Sequence, residues 1–209
     1  MSSPLQNRVT PFGDIAAVSA RGGMMGNRGG RLHGPERRLG RRRWASRAWI
    51  CCELAFRGRQ RVVMGESYTE LFFLDEAVAL AAGHRPCFEC RRREARAFAA
   101  AWAEAFDLPA PPRAPDMDAR LHAERLGPRR RGAPAALPEG AMFAVGAQAF
   151  LRIAEGARAW SWSGYGACAP APEVMAEILT PPAMVAALRH GFRPRLHPSA
   201  ETGGGGGRV

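Results

Sequence analysis

Pro86-Cys87-Phe88-Glu89-Cys90 lies between a short helical pattern that ends at Gly83 and a long one that runs to Phe106. Two cysteines three positions apart at the first turn of a helix project to one side, and the free N–H groups of that turn favour thiolate over thiol. The pair suits half of a zinc site, since zinc in such sites takes four ligands. Immediately upstream, Leu71-Phe72-Phe73-Leu74 is an apolar run of strand length. Asp75 is a good N-cap, Glu76 favours the first turn, and Ala77, Val78, Leu80 and Ala81 carry a helix to Gly83, which suits the left-handed position after a helix end. Arg85-Pro86 then returns the chain to extended backbone. A second helix is predicted from Cys87 to Phe106, with Phe98, Trp102, Ala105 and Phe106 on its apolar face and Arg91, Arg92, Arg93 and Arg96 on its polar side.

Working outward, Trp44 to Met64 reads as a β-hairpin: Trp49 to Phe56 goes out, Arg57-Gly58-Arg59 turns, and Gln60 to Met64 returns. The first 43 residues are rich in glycine and arginine; Asn7 to Ile15 reads as a short strand with a turn, and the glycine-rich segment Gly22 to Gly30 as loops with one short strand near Met24. Residues 107–138 shift to proline, arginine and alanine and read as a connector with one short helix from Asp116 to Leu126. Met142 to Trp162 predicts a small antiparallel unit, and Thr180-Pro181-Pro182 opens a last helix from Ala183 to His190. The expected fold is α+β: a zinc-stabilised hairpin and helix module over 1–106, the connector, a smaller C-terminal α+β unit over 139–198, and a disordered tail over 199–209. The segment Ala79 to Pro86 is echoed by Ala187 to Pro194, both ending a helix at glycine before Arg-Pro, which reads as repeated local geometry.

The net charge is +11, and all 30 basic residues are arginine because the chain has no lysine. Attraction to polyanions such as nucleic acid is one reading of that charge. A GC-rich coding bias, which raises arginine, alanine, glycine and proline together, is the other. No apolar run marks a secretory leader or a membrane span, so a reducing, cytoplasmic setting is expected, where paired cysteines bind metal more often than they form disulfides.

Candidates for the remaining metal ligands are Cys51, Cys52, His33 and His84. Neighbours on a strand point to opposite faces, and Cys52 shares its face with Ile50, Leu54 and Phe56, the face expected to meet the helices. Cys52 is therefore preferred over Cys51, and His33 closes the set. Buried or redox-active thiols and a catalytic metal are the competing readings of Cys87 and Cys90. Asp118 and His122 stand four apart on one helix face, with Glu124 on another, and are the candidates for acid–base or metal chemistry against the plainer reading of a salt-bridged surface. Trp160, Trp162 and Tyr165 follow Arg152 and Arg158 as candidates for base stacking, with a thin β-core as the alternative.

Thr69 to Arg96, and within it Phe72-Phe73-Leu74-Asp75-Glu76-Ala77 and Ala81-Ala82-Gly83-His84-Arg85-Pro86-Cys87-Phe88-Glu89-Cys90-Arg91-Arg92, resembles the second half of the metal-binding domain of Ada-type DNA-repair proteins. The resemblance implies that Cys87 and Cys90 supply two zinc thiolates. The first half of that domain carries a spaced cysteine pair, one member of which accepts a methyl group from DNA; here Cys51-Cys52 stands instead. The wider pattern, including Met25-Gly26-Asn27-Arg28-Gly29 and Leu196 to Ala200, resembles a bacterial family that implies no activity. The function expected from all this is non-catalytic binding of nucleic acid, DNA above all, in repair or regulation, through Arg91, Arg92 and Arg96 around a structural zinc. A metal-dependent nuclease or transferase using His122, Asp118 and Glu124 is the first alternative, and a metal-stabilised protein-interaction module the second.

Overall fold

The computed structural model describes residues 3–60 and 62–201, which form a mixed α+β structure with two six-stranded sheets and four helices. The first sheet holds β1 (Gln6–Val9), β2 (Ile15–Ala17), β3 (Met24–Asn27), β4 (Ile50–Cys52), β5 (Leu71–Phe73) and β6 (Arg85–Pro86), in the order β2-β1-β5-β3-β4-β6. β1 runs parallel to β5 and β4 parallel to β6, and the other pairings are antiparallel. The glycine-rich segment expected to be mostly loop thus places its one strand at the centre of the sheet. Packing explains the choice: a Cβ on Gly26 would lie 2.2 Å from the Ile50 carbonyl oxygen and 2.8 Å from the Phe73 ring, so only glycine lets β4 and Phe73 close on β3.

The helix α1 (Glu76–Ala81) follows β5, with the Asp75 carboxylate accepting from the Val78 N–H at 3.0 Å as the sequence predicts. Every residue of α1 is buried. A helix apolar nearly all round belongs inside; Ala77, Val78, Ala79 and Ala81 join one core cluster, while Leu80 joins the other. Gly83 ends this segment at φ +83° and its echo Gly191 stands at φ +95°.

Next come α2 (Arg92–Ala105) and α3 (Ala114–Leu126). The second sheet is antiparallel throughout: β7 (Arg131–Gly132), β8 (Met142–Val145), β9 (Gln148–Ile153), β10 (Gly156–Ser161), β11 (Gly164–Ala169) and β12 (Ala176–Ile178), in the order β11-β10-β9-β8-β12-β7. The last helix, α4 (Pro182–Arg189), opens on proline as expected. One core cluster joins Val9, Met24, Leu71 and Phe73 of the first sheet to Met142, Leu151 and Tyr165 of the second. The other joins Phe98 and Trp102 of α2, Met117 and Leu121 of α3, Met184 and Leu188 of α4, and Phe143 of β8. The stretch expected as a connector therefore carries a thirteen-residue helix that contributes to the core.

Four local expectations are corrected. The hairpin return is not formed: among the described residues between β4 and β5 there is no strand, Val62 is 64% exposed, and Met64 adopts φ +52°. Arg61 lies outside the described residues. β4 takes β3 and β6 as partners instead and ends at Cys52, which leaves Leu54 exposed rather than facing helices. The second helix begins at Arg92, so Cys87 and Cys90 lie in the turn before it, where the Cys87 N–H donates to the Cys51 carbonyl at 2.9 Å. Of the expected tail, Ser199 to Glu201 form the end of a short 3-10 turn with Ala200 buried, and 202–209 lie outside the described residues.

Candidate metal centre and basic cleft

Pairing of β4 with β6 brings Cys52 up to the turn that carries Cys87 and Cys90. Their sulfur atoms lie within 4.8 Å of one another, and the three could hold a metal ion. Cys52, the preferred neighbour, lies with the pair and Cys51 points the other way into the core, although it is the Cys51 face, and not the face of Cys52 and exposed Leu54, that packs with α1. The Glu89 N–H donates to the Cys87 sulfur and the Glu53 N–H to the Cys90 sulfur, each at 3.4 Å, which is how thiolates are supported in a folded chain. The Cys52 and Cys90 thiols, hydrogen-bonded to Cys87, hold it well below the ordinary thiol range, and contact with Cys87 and Cys90 pushes Cys52 up. One thiolate forms readily and its neighbours resist, the pattern that a divalent cation among three sulfurs would relieve.

His33 is not brought to this cluster. One ring nitrogen contacts the Thr69 hydroxyl at 2.6 Å and the other the Gly65 carbonyl at 2.7 Å, so the ring fastens the loop before β3's neighbour strand β5 to the glycine-rich segment. His84 is buried against the rings of Trp49 and Phe73 and accepts from the Arg28 Nε at 3.3 Å.

Arg91 is not a surface group. It is 3% exposed, pairs bidentately with Glu76, and lies 3.2 Å from Glu53, whose other oxygen meets Arg195 at 2.7 Å. Burial opposes the Arg91 charge, and Glu76 more than reverses this, so the guanidinium is held protonated behind the thiols. Of the three arginines expected to meet phosphate, Arg92 and Arg96 are exposed on α2 and Arg91 is structural.

The acid–base candidates are also occupied. Asp118 is buried and accepts from Arg85 Nε at 2.8 Å and from a terminal nitrogen at 2.7 Å. Glu124 accepts from Arg120 at 3.1 Å and from the Ala183 N–H at 3.0 Å, which caps α4. His122 packs edge-on against Trp44, with ring centroids 5.6 Å apart. Tyr165 is buried and donates to Asp75 at 2.9 Å, which leaves it unavailable for stacking on a base.

The site that sequence reasoning missed is a cleft of about 1060 Å³ between the β1–β2 turn, the Trp44–Trp49 segment, the end of α3 and the face of α4. Seven arginines line it, Arg28, Arg43, Arg120, Arg125, Arg129, Arg130 and Arg189, against two carboxylates, Asp14 and Glu124. Phe12, Trp44, Trp49 and Phe106 supply aromatic surface. Trp49 is clasped between the Arg28 and Arg125 guanidinium groups, which lie 4.0 and 4.2 Å from its ring centroid. Both arginines donate to backbone carbonyls, Arg28 to Gly13 at 2.8 Å and Arg125 to Gly83 at 2.7 Å and Arg47 at 2.8 Å. Among the described residues neither forms a salt bridge with a carboxylate. Burial lowers Arg28 to about 9, with the Arg125 charge adding to the effect, and burial lowers Arg125 to about 10, with Asp118 opposing. A guanidinium does not give up its proton at working pH, so both groups stay cationic; burial is the main cause of the shifts, and the mutual repulsion of like charges is the smaller part that an added negative charge would offset. The signal for this cleft in the sequence was only the arginine excess, spread over segments far apart in the chain.

No family model, curated protein or solved structure matches this chain. The Ada-type resemblance accordingly rests on the residues quoted for it, and the account of the site rests on its geometry. No helix among the described residues is long and apolar enough to cross a membrane.

Proposed function

We propose that this protein binds single-stranded nucleic acid in the arginine-lined cleft, with a zinc ion at Cys52, Cys87 and Cys90 tying β4 to the turn before α2. The observation that carries the reading is the pair of buried Arg28 and half-buried Arg125, neither of which forms a salt bridge with a carboxylate among the described residues, at the side of a cleft that Arg43, Arg130 and Arg189 also line. Phosphate supplies the missing charge, and half-buried Trp44 and Phe12 offer faces on which unpaired bases stack. A concave aromatic and cationic site favours a single strand over a duplex, whose bases are already stacked. The occupied state of Asp118 and Glu124 removes the support for hydrolysis by those residues.

The test is fluorescence anisotropy with a labelled oligothymidine of about 12 nucleotides and the matching duplex. Engagement of about four phosphates gives a roughly fifty-fold loss of affinity between about 50 and 200 mM salt. Arg125→Gln and the pair Arg43→Ala, Arg130→Ala should each weaken binding, while Arg92→Ala with Arg96→Ala should not. Salt-independent binding, or dependence on Arg92 and Arg96 alone, refutes this placement of the ligand.

A further inference from the structure

Among the described residues the three-thiol cluster has no fourth cysteine, histidine or carboxylate partner. Met1, Ser2, Arg61 and 202–209, which lie outside the described residues, include no cysteine, histidine, aspartate or glutamate, so those side chains of the 209-residue sequence all fall among the described residues. Among them only Cys52, Cys87 and Cys90 gather at this point. The neighbours that sequence proximity would nominate have other partners. The Glu53 carboxylate lies between Arg91 at 3.2 Å and Arg195 at 2.7 Å. The Glu89 carboxylate pairs with Arg59 at 2.6 Å. Cys51 faces the core with its sulfur 3.9 Å from the Arg91 guanidinium, and both nitrogens of His33 are engaged elsewhere. The cluster also has an open side. Cys90 is only half buried, and Leu54 and Glu89 beside it are exposed.

We infer that a metal bound by Cys52, Cys87 and Cys90 keeps one coordination position for a ligand from solution, and that a small thiolate is the class of ligand it takes. A closed set of four protein ligands marks a structural zinc site, whereas three leave a position for exchange. An ion already held by three soft sulfur donors accepts a fourth of the same kind. The expectation that His33 closes the set is replaced by a site that communicates with solvent. This inference rests on the metal reading above and is independent of the cleft.

The test is titration of the full chain with cobalt(II), whose thiolate charge-transfer and ligand-field bands report the donor set, followed by addition of 2-mercaptoethanol. The expected result is one ion per chain, charge-transfer intensity of three thiolates, and a rise of about one third as the added thiol supplies a fourth. His33→Ala and Glu89→Gln should give the same spectra and the same response. Bands that ignore added thiol, or that change in either variant, overturn the open position while leaving the metal reading in place. Failure of the wild-type protein to take up cobalt or zinc overturns both.

Discussion

Asp118→Ala should cost this protein about 3–5 kcal/mol, the usual loss when one member of a buried ion pair is removed. The side chains of Asp118 and Arg85 are 7% and 5% exposed, and two hydrogen bonds of 2.8 and 2.7 Å join them. In the variant the Arg85 guanidinium stays buried with the Pro86 carbonyl at 3.1 Å as its remaining partner. At this chain length each kcal/mol moves the melting temperature by about 2–4 °C, so the midpoint should fall by roughly 6–20 °C. Urea unfolding and calorimetry of Asp118→Ala, Arg85→Met and the double variant measure the effect. The double variant should lose much less than the sum of the singles, because no charge is then stranded. A single-variant loss under about 1 kcal/mol, or strict additivity, would falsify the structural role assigned to Asp118 and reopen its candidacy for chemistry. The pair matters for the metal site because Arg85 begins the strand that leads through Pro86 to Cys87, and Asp118 fastens that strand to α3.

Three further outcomes follow from particular contacts. Burial, then the charges of Arg28 and Arg125, hold His84 well below its ordinary value of 6.5. The unfolded chain therefore takes up a proton that the folded one refuses, so stability is full above the ordinary value and falls below it, by ~1.4 kcal/mol at about pH 5.5; urea midpoints of the wild type and His84→Gln across that range check it, and parallel curves rule the assignment out. Gly83→Ala forces a left-handed alanine at φ +83° and sets its Cβ 2.3 Å from the Arg125 Cδ. It should lose at least about 1 kcal/mol and weaken oligonucleotide binding; retention of full affinity would separate Gly83 from the cleft. Zinc at a hundredfold excess over its dissociation constant should stabilise the wild type by about 2.7 kcal/mol, an effect abolished by chelator or by Cys87→Ser and untouched by Cys168→Ser, since Cys168 is exposed and apart from the cluster; thermal melts with and without metal read this directly.

Local chemistry was legible in the residues themselves. Asp75 caps α1, Gly83 and Gly191 take left-handed backbone, Pro182 opens α4, and the strand over Leu71–Phe73 forms, because each depends on atoms within a few positions of one another. Strand parity alone placed Cys51 and Cys52 on opposite faces, since alternation is a property of any extended chain; which of them meets the turn of Cys87 and Cys90 was decided by the pairing of β4 with β6. The hairpin failed because a strand's partner is a non-local matter: β4 had a turn and a plausible return segment beside it, yet it lies between β3 and β6.

What the sequence by itself determined is therefore the cap and stop of α1, the proline start and glycine stop of α4, the apolar run over Leu71–Phe73 and the cysteine pair. Tertiary structure decided where the charges went. Arg91 looked like part of a solvated basic run, but packing of α2 on the first sheet buries it against Glu76. Arg28 and Arg125, from opposite ends of the first two-thirds of the chain, meet across Trp49. Charge acts through space, and one-dimensional order carries no record of which like charges the folded chain will crowd together without a counter-ion.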